Sequence, residues 1–127
     1  MPDPTYNILV VDDDPLIRRL ISSILKLKGH QTEEANDGIE ALAKFAKGSF
    51  DGVITDVMMP RMNGIELTRQ LLRRRPTLRI MVMTGYYEAS IDQEAVLAGA
   101  SAFIAKPFST LDFLAQFTRM MLDHGKP

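Results

Sequence analysis

Val53-Ile54-Thr55-Asp56-Val57-Met58-Met59-Pro60 is a short β-branched run that ends on one carboxylate and then breaks. An apolar run that stops at Asp, with Pro four residues on, predicts a buried strand that enters a loop and leaves Asp56 at its C-terminal tip. Strand tips are where open α/β sheets place their chemistry. Three further strand-like runs end on chemical groups: Ile8-Leu9-Val10-Val11 on Asp12-Asp13, Arg79-Ile80-Met81-Val82-Met83 on Thr84, and Ser101-Ala102-Phe103-Ile104-Ala105 on Lys106. These tips are expected to meet, with Asp56 at their centre.

The stretches between the strands carry helical periodicity. Asp14 followed by Pro15 predicts an N-cap and a first helical residue, opening a helix that runs to about Lys28 before Gly29. Ile17, Leu20, Ile21, Ile24 and Leu25 form its apolar face, with Arg18, Arg19, Ser22 and Lys26 on the other side. Residues 31–35 make a weak second strand, and Asn36-Asp37-Gly38 turns into a helix carrying Ile39, Leu42, Phe45 and Ala46. A third helix starts at Gly64 with Ile65, Leu67, Leu71 and Leu72 and stops before Pro76. A fourth, over 88–98, carries Ile91, Ala95 and Val96, and a last one covers about 110–123. Alternation of this kind predicts a parallel sheet with helices on both faces, since parallel strands need crossover connections and these are right-handed. In the common strand order 2-1-3-4-5 the first and third strands lie about 4.8 Å apart, so Asp56 falls beside Asp12 and Asp13, with Thr84 on its far side.

Composition narrows the function classes. A chain of 127 residues is expected to form one domain, with a core over about residues 6–123, that buries roughly two-thirds of its unfolded surface. The formal net charge of -1, from 15 Lys plus Arg against 16 Asp plus Glu, gives no global attraction to nucleic acid or to an anionic membrane. The run Arg73-Arg74-Arg75 reads as a solvated helix end favoured by the macrodipole. With no Cys there are neither disulfides nor thiolate metal sites, and His30 and His124 are far apart, which leaves a hard, oxygen-ligated cation. The opening Met1-Pro2-Asp3-Pro4-Thr5 has no basic or apolar leader pattern, and no apolar run approaches membrane-spanning length, so a cytoplasmic location is expected.

Asp14 is read as a helix cap, whereas Asp12 and Asp13 are adjacent carboxylates at a strand tip. Such a pair repels unless a cation sits between its members, which suggests a divalent-metal site or a perturbed acid pair. With Asp56 added, three carboxylates in one crevice call for a cation. Carboxylates, a hydroxyl and a lysine match what phosphoryl transfer onto a carboxylate needs. Mg²⁺ neutralises phosphoryl charge, Asp56 attacks in line, and Lys106 and Thr84 hold the equatorial oxygens. A cis Lys106-Pro107 bond is one way to aim the ammonium inward. Neither G-x-x-x-x-G-K-[ST] nor G-x-G-x-x-G is present, so the phosphoryl group is expected from another molecule rather than from a nucleotide bound by this chain.

Val10-Val11-Asp12-Asp13, Asp56 with Pro60 and Gly64, Thr84-Gly85, and Lys106-Pro107-Phe108, in this order and spacing, resemble the receiver domains of two-component response regulators over nearly the whole chain. The resemblance implies a flavodoxin-like, doubly wound five-stranded sheet with five helices. It further implies that Asp56 accepts phosphate from a histidine kinase or phosphotransfer protein. Asp13, Asp56 and the backbone carbonyl of Met58 would ligate Mg²⁺, and Asp12 would bind it through water. Thr84 and Phe103 resemble the family's switch pair, although Phe103 lacks the hydroxyl of the chemotaxis receiver's tyrosine. Met58 and Tyr86 would stand at the mouth of the site. The chain is then a signalling phosphoacceptor whose only chemistry is its own phosphorylation and dephosphorylation. The alternative is a haloacid-dehalogenase-type phosphatase with Asp12 as nucleophile, suggested by Asp12-x-Asp14 after an apolar strand. Against it, Leu16 replaces the expected small polar or β-branched residue and no later acidic pair supplies metal ligands.

The last helix carries more apolar residues than one face needs. Phe113, Phe117, Met120 and Met121 make a core stripe, and Leu111, Leu114 and Leu122 widen it toward Asp112, Gln116, Arg119 and Asp123. Either the broad helix packs deeply between its neighbours, or these leucines are partly exposed and, with the fourth helix and fifth strand, dock a downstream output protein or a second copy.

Overall fold

A computed structural model describes residues 3–85 and 89–122, the side chains of residues 89–92 and 97 being outside that description. Strands and helices alternate as β1 (Asn7–Val11), α1 (Pro15–Leu27), β2 (Gln31–Ala35), α2 (Gly38–Lys47), β3 (Gly52–Asp56), α3 (Gly64–Arg74), β4 (Arg79–Thr84), α4 (Ala89–Ala98), β5 (Ala102–Ala105) and α5 (Thr110–Leu122). The strands form one parallel sheet in the order β2-β1-β3-β4-β5, as expected.

Side chains alternate across this sheet and build two cores. Leu9, Val11, Val53, Ile80 and Val82 face α2, α3 and α4, where they meet Ala41, Leu67, Leu71 and Ala95. Ile8, Val10, Ile54, Met81 and Met83 face α1 and α5, against Ile21, Leu25, Phe113, Phe117 and Met121. β3, fully buried along its length, is the spine between them.

Local signals set the helix ends. Asp14, Asp37 and Asn63 each cap a helix, accepting from the backbone N–H of Leu16, Glu40 and Glu66 respectively. Gly29 and Gly99 follow α1 and α4 in the left-handed region, with φ of 92° and 99°.

The helix faces differ in part from their sequence pattern. Leu20, expected in the core, is 51% exposed, while Ser22, expected outside, is buried with no hydrogen-bond partner for its hydroxyl among the described residues. The reason is rotation: α1 lies over β2 as well as β1, so its buried arc turns toward Ser22 and Arg18 and away from Leu20. Ile39, Ala46 and Val96 are likewise exposed, because α2 buries Gly38 and Ala41 and α4 buries Ala95. The core stripe of α5 is as expected, with Phe113, Phe117, Met120 and Met121 all buried, while Leu111 and Leu122 are exposed and Leu114 is half-buried.

Candidate functional site

Strand register brings the chemical tips together. Val11 pairs with Thr55, so Asp12 and Asp56 come level one residue further on. Asp56 pairs with Met83, which sets Thr84 one step beyond it, and Thr84 pairs with Ala105, which sets Lys106 one step beyond that. Lys106 therefore starts above the carboxylates and reaches back: its Nζ lies 3.0 Å from Asp12 Oδ2 and 3.3 Å from Asp56 Oδ1. Its backbone N–H donates to the Thr84 carbonyl at 2.7 Å, and the Lys106-Pro107 bond is cis.

Asp12, Asp13 and Asp56 each offer a carboxylate oxygen, all within 4.8 Å of one another. Asp12 is fully buried, Asp56 nearly so, and Asp13 exposed. Asp12 Oδ1 accepts from Asp14 N at 2.9 Å while Oδ2 takes the lysine, so both its oxygens are engaged. Burial, reinforced by the neighbouring Asp12 charge and only partly offset by Lys106, pushes the Asp56 carboxyl up to about 6. Burial works to lower the Lys106 pKa, but the hydrogen bond to Asp12 and the charges of both carboxylates outweigh it, so the ammonium is held above its ordinary value. A cluster of three oxygen donors, two buried and one exposed, suits a small hard cation.

Gly64 lets α3 start directly against the backbone of Asp56: a Cβ there would lie 2.1 Å from the Asp56 carbonyl oxygen. Its N–H donates to the Val57 carbonyl at 2.9 Å, closing the loop that follows Asp56. Thr84 is fully buried at the tip of β4. Phe103, half-buried, packs against the α2–α4 core. Met58 is 62% exposed beside the site, while Tyr86, Asp123 and His124 lie outside the described residues.

Two arginines that the sequence pattern did not single out flank the crevice. Arg18, with its side chain 11% exposed, donates from Nε to Glu34 Oε1 and from one terminal nitrogen to the Asp12 carbonyl and Asn36 Oδ1, each at 2.8 Å. Arg61, in the loop after Asp56 with φ of 70°, pairs with the buried Asp37. The Glu40 backbone N–H and then Arg61 hold the Asp37 carboxyl below its ordinary range. Nothing in the spacing of Arg18 or Arg61 marks them, since the side chains that accept from them, Glu34, Asn36 and Asp37, lie 16 to 24 residues away. The cap motif Asp37-x-x-Glu40 was the one available signal that Asp37 has a structural task.

The model of the family described as the response regulator receiver domain matches residues 8–118. The chain belongs to this family. Among its relatives is the response regulator MprA of Mycobacterium leprae, 39% identical over 121 residues, which cover 95% of this chain and 53% of that protein. The chain thus spans about half the length of the mycobacterial relatives it matches. Similar solved structures include the chemotaxis protein CheY4 of Vibrio cholerae, with a TM-score of 0.87 and 34% identity over 92% of this chain and 99% of that one. The response regulator TrrA of Thermotoga maritima, solved in complex with Mg²⁺-BeF, has a TM-score of 0.80 and 34% identity over 91% and 98%. The receiver reading, the strand order and the signalling role stand on these comparisons, and no helix among the described residues is long and apolar enough to cross a membrane.

Proposed function

We propose that Asp56 is the phosphoacceptor of a cytoplasmic, single-domain receiver unit with its core over about residues 6–123, and that its donor is a histidine kinase or phosphotransfer protein. The observation that carries this reading is Lys106 Nζ spanning two strand tips to meet Asp12 and Asp56 while Asp13 stands open beside them. An Asp56 carboxylate oxygen forms the new P–O bond as the donor's P–N bond breaks, and the departing imidazole takes up a proton. Lys106 and the Thr84 hydroxyl hold the equatorial oxygens. Asp13, Asp56 and the Met58 carbonyl would hold Mg²⁺, with Asp12 acting through water; when bound, the cation neutralises charge on the transferring group. The same acyl phosphate is later hydrolysed, so the chain acts as a switch and not as a turnover enzyme. The phosphatase reading fits less well, because Asp12 has no exposed surface and both its oxygens are occupied.

Incubation with Mg²⁺ and acetyl phosphate followed by mass spectrometry tests this directly. Modification is expected at Asp56; modification at Asp12 would restore the phosphatase reading. Asp13→Asn is expected to abolish Mg²⁺-dependent labelling with the fold intact, since it removes a ligand and also relieves repulsion in the cluster. Labelling at the wild-type level with Mg²⁺ would show the metal site to be elsewhere.

The output acts through the α4–β5–α5 side. On phosphorylation Thr84 draws inward and Phe103 buries more deeply, which shifts the population of a face carrying the exposed Leu111 and Leu122 toward binding a downstream protein or a second copy. This unit itself contacts neither nucleic acid nor membrane. Leu114→Glu should leave Asp56 labelling intact and weaken phosphorylation-dependent dimerisation or partner binding, measured by light scattering of labelled protein. Global unfolding of that variant would assign Leu114 to the core instead.

A further inference from the structure

Asp13 is the most exposed of the clustered carboxylates, and among the described contacts its side chain has no hydrogen-bond partner that would aim it. Its direction therefore depends on the backbone on either side. That backbone is pinned at four points: Asp12 N donates to the Ala35 carbonyl at 3.2 Å, the Asp14 carbonyl accepts from Arg18 N at 3.0 Å, Asp14 N donates to Asp12 Oδ1 at 2.9 Å, and the Asp12 carbonyl, which belongs to the Asp12-Asp13 peptide, accepts from the Arg18 side chain at 2.8 Å. Only the last of these is a charged side chain from a helix. The same guanidinium is fixed by Glu34 at the end of β2 and by Asn36 in the following turn, so a planar, multi-donor fork ties the tips of β1 and β2 to α1.

We propose that Arg18 is a positioning residue for the cation site, acting through the Asp12-Asp13 peptide to hold Asp13 at the separation a small divalent cation needs. This rests on the Mg²⁺ reading above. Glu34, paired with Arg18 at 2.8 Å, neutralises the guanidinium, so it serves as a strut without competing with the cation for the carboxylates. Partners one step removed from a metal ligand govern affinity by orienting it, and their loss typically weakens binding by about 10- to 100-fold.

The sign of the effect separates this role from charge alone. Removing a positive side chain near a dication site should tighten cation binding if only electrostatics matters; loss of a positioning strut weakens it. Isothermal titration of Mg²⁺ into the intact chain is expected to show Kd about tenfold higher in Arg18→Met than in wild type. The preference for Mg²⁺ over Ca²⁺ should also fall, because Ca²⁺ accepts irregular and wider oxygen sites. Arg18→Lys keeps the charge and loses the fork, so it too should bind Mg²⁺ more weakly, and it serves if the methionine variant does not fold. Wild-type or tighter Mg²⁺ binding in a folded Arg18 variant overturns the proposal. Failure of the wild-type chain itself to bind Mg²⁺ would overturn the underlying metal reading and this inference with it.

Discussion

Asp56→Asn is expected to abolish phosphoryl labelling and, without divalent cations, to stabilise the protein at pH 8 by about 3 kcal/mol. Burial first, then the Asp12 charge, raises the Asp56 pKa from 3.8 to about 6 in the folded chain. Below pH 3.8 the carboxyl is neutral in both folded and unfolded chains, and its favourable burial is fully retained. As pH rises toward 6 the unfolded chain releases this proton before the folded one, and the stability contribution drains away. Asparagine keeps the shape of the neutral acid and never ionises. Its advantage should therefore be absent near pH 3.5, grow through the range from 3.8 to about 6, and level off above it. A gain of this size corresponds to roughly 10 °C in melting temperature for a domain of this length. Urea or thermal unfolding in EDTA across pH 3.5–8 measures it. A variant no more stable than wild type at pH 8, or an advantage that does not vary with pH, would contradict the view that an unfavourable buried charge is kept at this position for chemistry.

The second large effect is expected at Gly64. An alanine Cβ would sit 2.1 Å from the Asp56 carbonyl oxygen, 2.9 Å from its carbon and 3.1 Å from Thr55 Oγ1. The nearest two of these atoms are backbone of the central strand, with no flexible side chain to yield. Relief requires α3 to move away from the tip of β3 and disturbs the Gly64 N–H bond to the Val57 carbonyl. Gly64→Ala should cost about 3 kcal/mol, at the upper end for overpacking, and should weaken Mg²⁺ binding by displacing the loop that carries Met58. Gly85→Ala is the matched control: among the described residues its Cβ would meet only Lys106 side-chain atoms at 3.9 Å, ordinary contact, so it should fall within about 0.5 kcal/mol of wild type. Urea midpoints decide between them, and equal midpoints for the two variants would show that α3 can shift freely.

Much of this molecule is legible from the chain alone. The β-branched runs ending on Asp12, Asp56, Thr84 and Lys106, the Asp14-Pro15 helix start and the Gly29 stop are local signals. A strand's burial on both faces and a cap's hydrogen bond depend on a few neighbouring residues. Given alternating strands and helices, crossover handedness leaves few arrangements, so the meeting of the four tips also follows. Other features were decided only when the elements packed. Periodicity identifies an apolar stripe on α1 but not how far the helix turns about its axis, and contact with β2 is what buried Ser22 and exposed Leu20. Register decided that Lys106 starts above Asp56 and must reach back to it. Beside the Asp12 carbonyl six residues back, Arg18 acquired acceptors on Glu34 and Asn36, 16 and 18 residues away, and Arg61 acquired Asp37, 24 residues away. Local chemistry specifies which groups arrive at the sheet edge. The distances between them, and hence the charge state of Asp56 and the orientation of Asp13, arise from contacts between elements that no single stretch of sequence encodes.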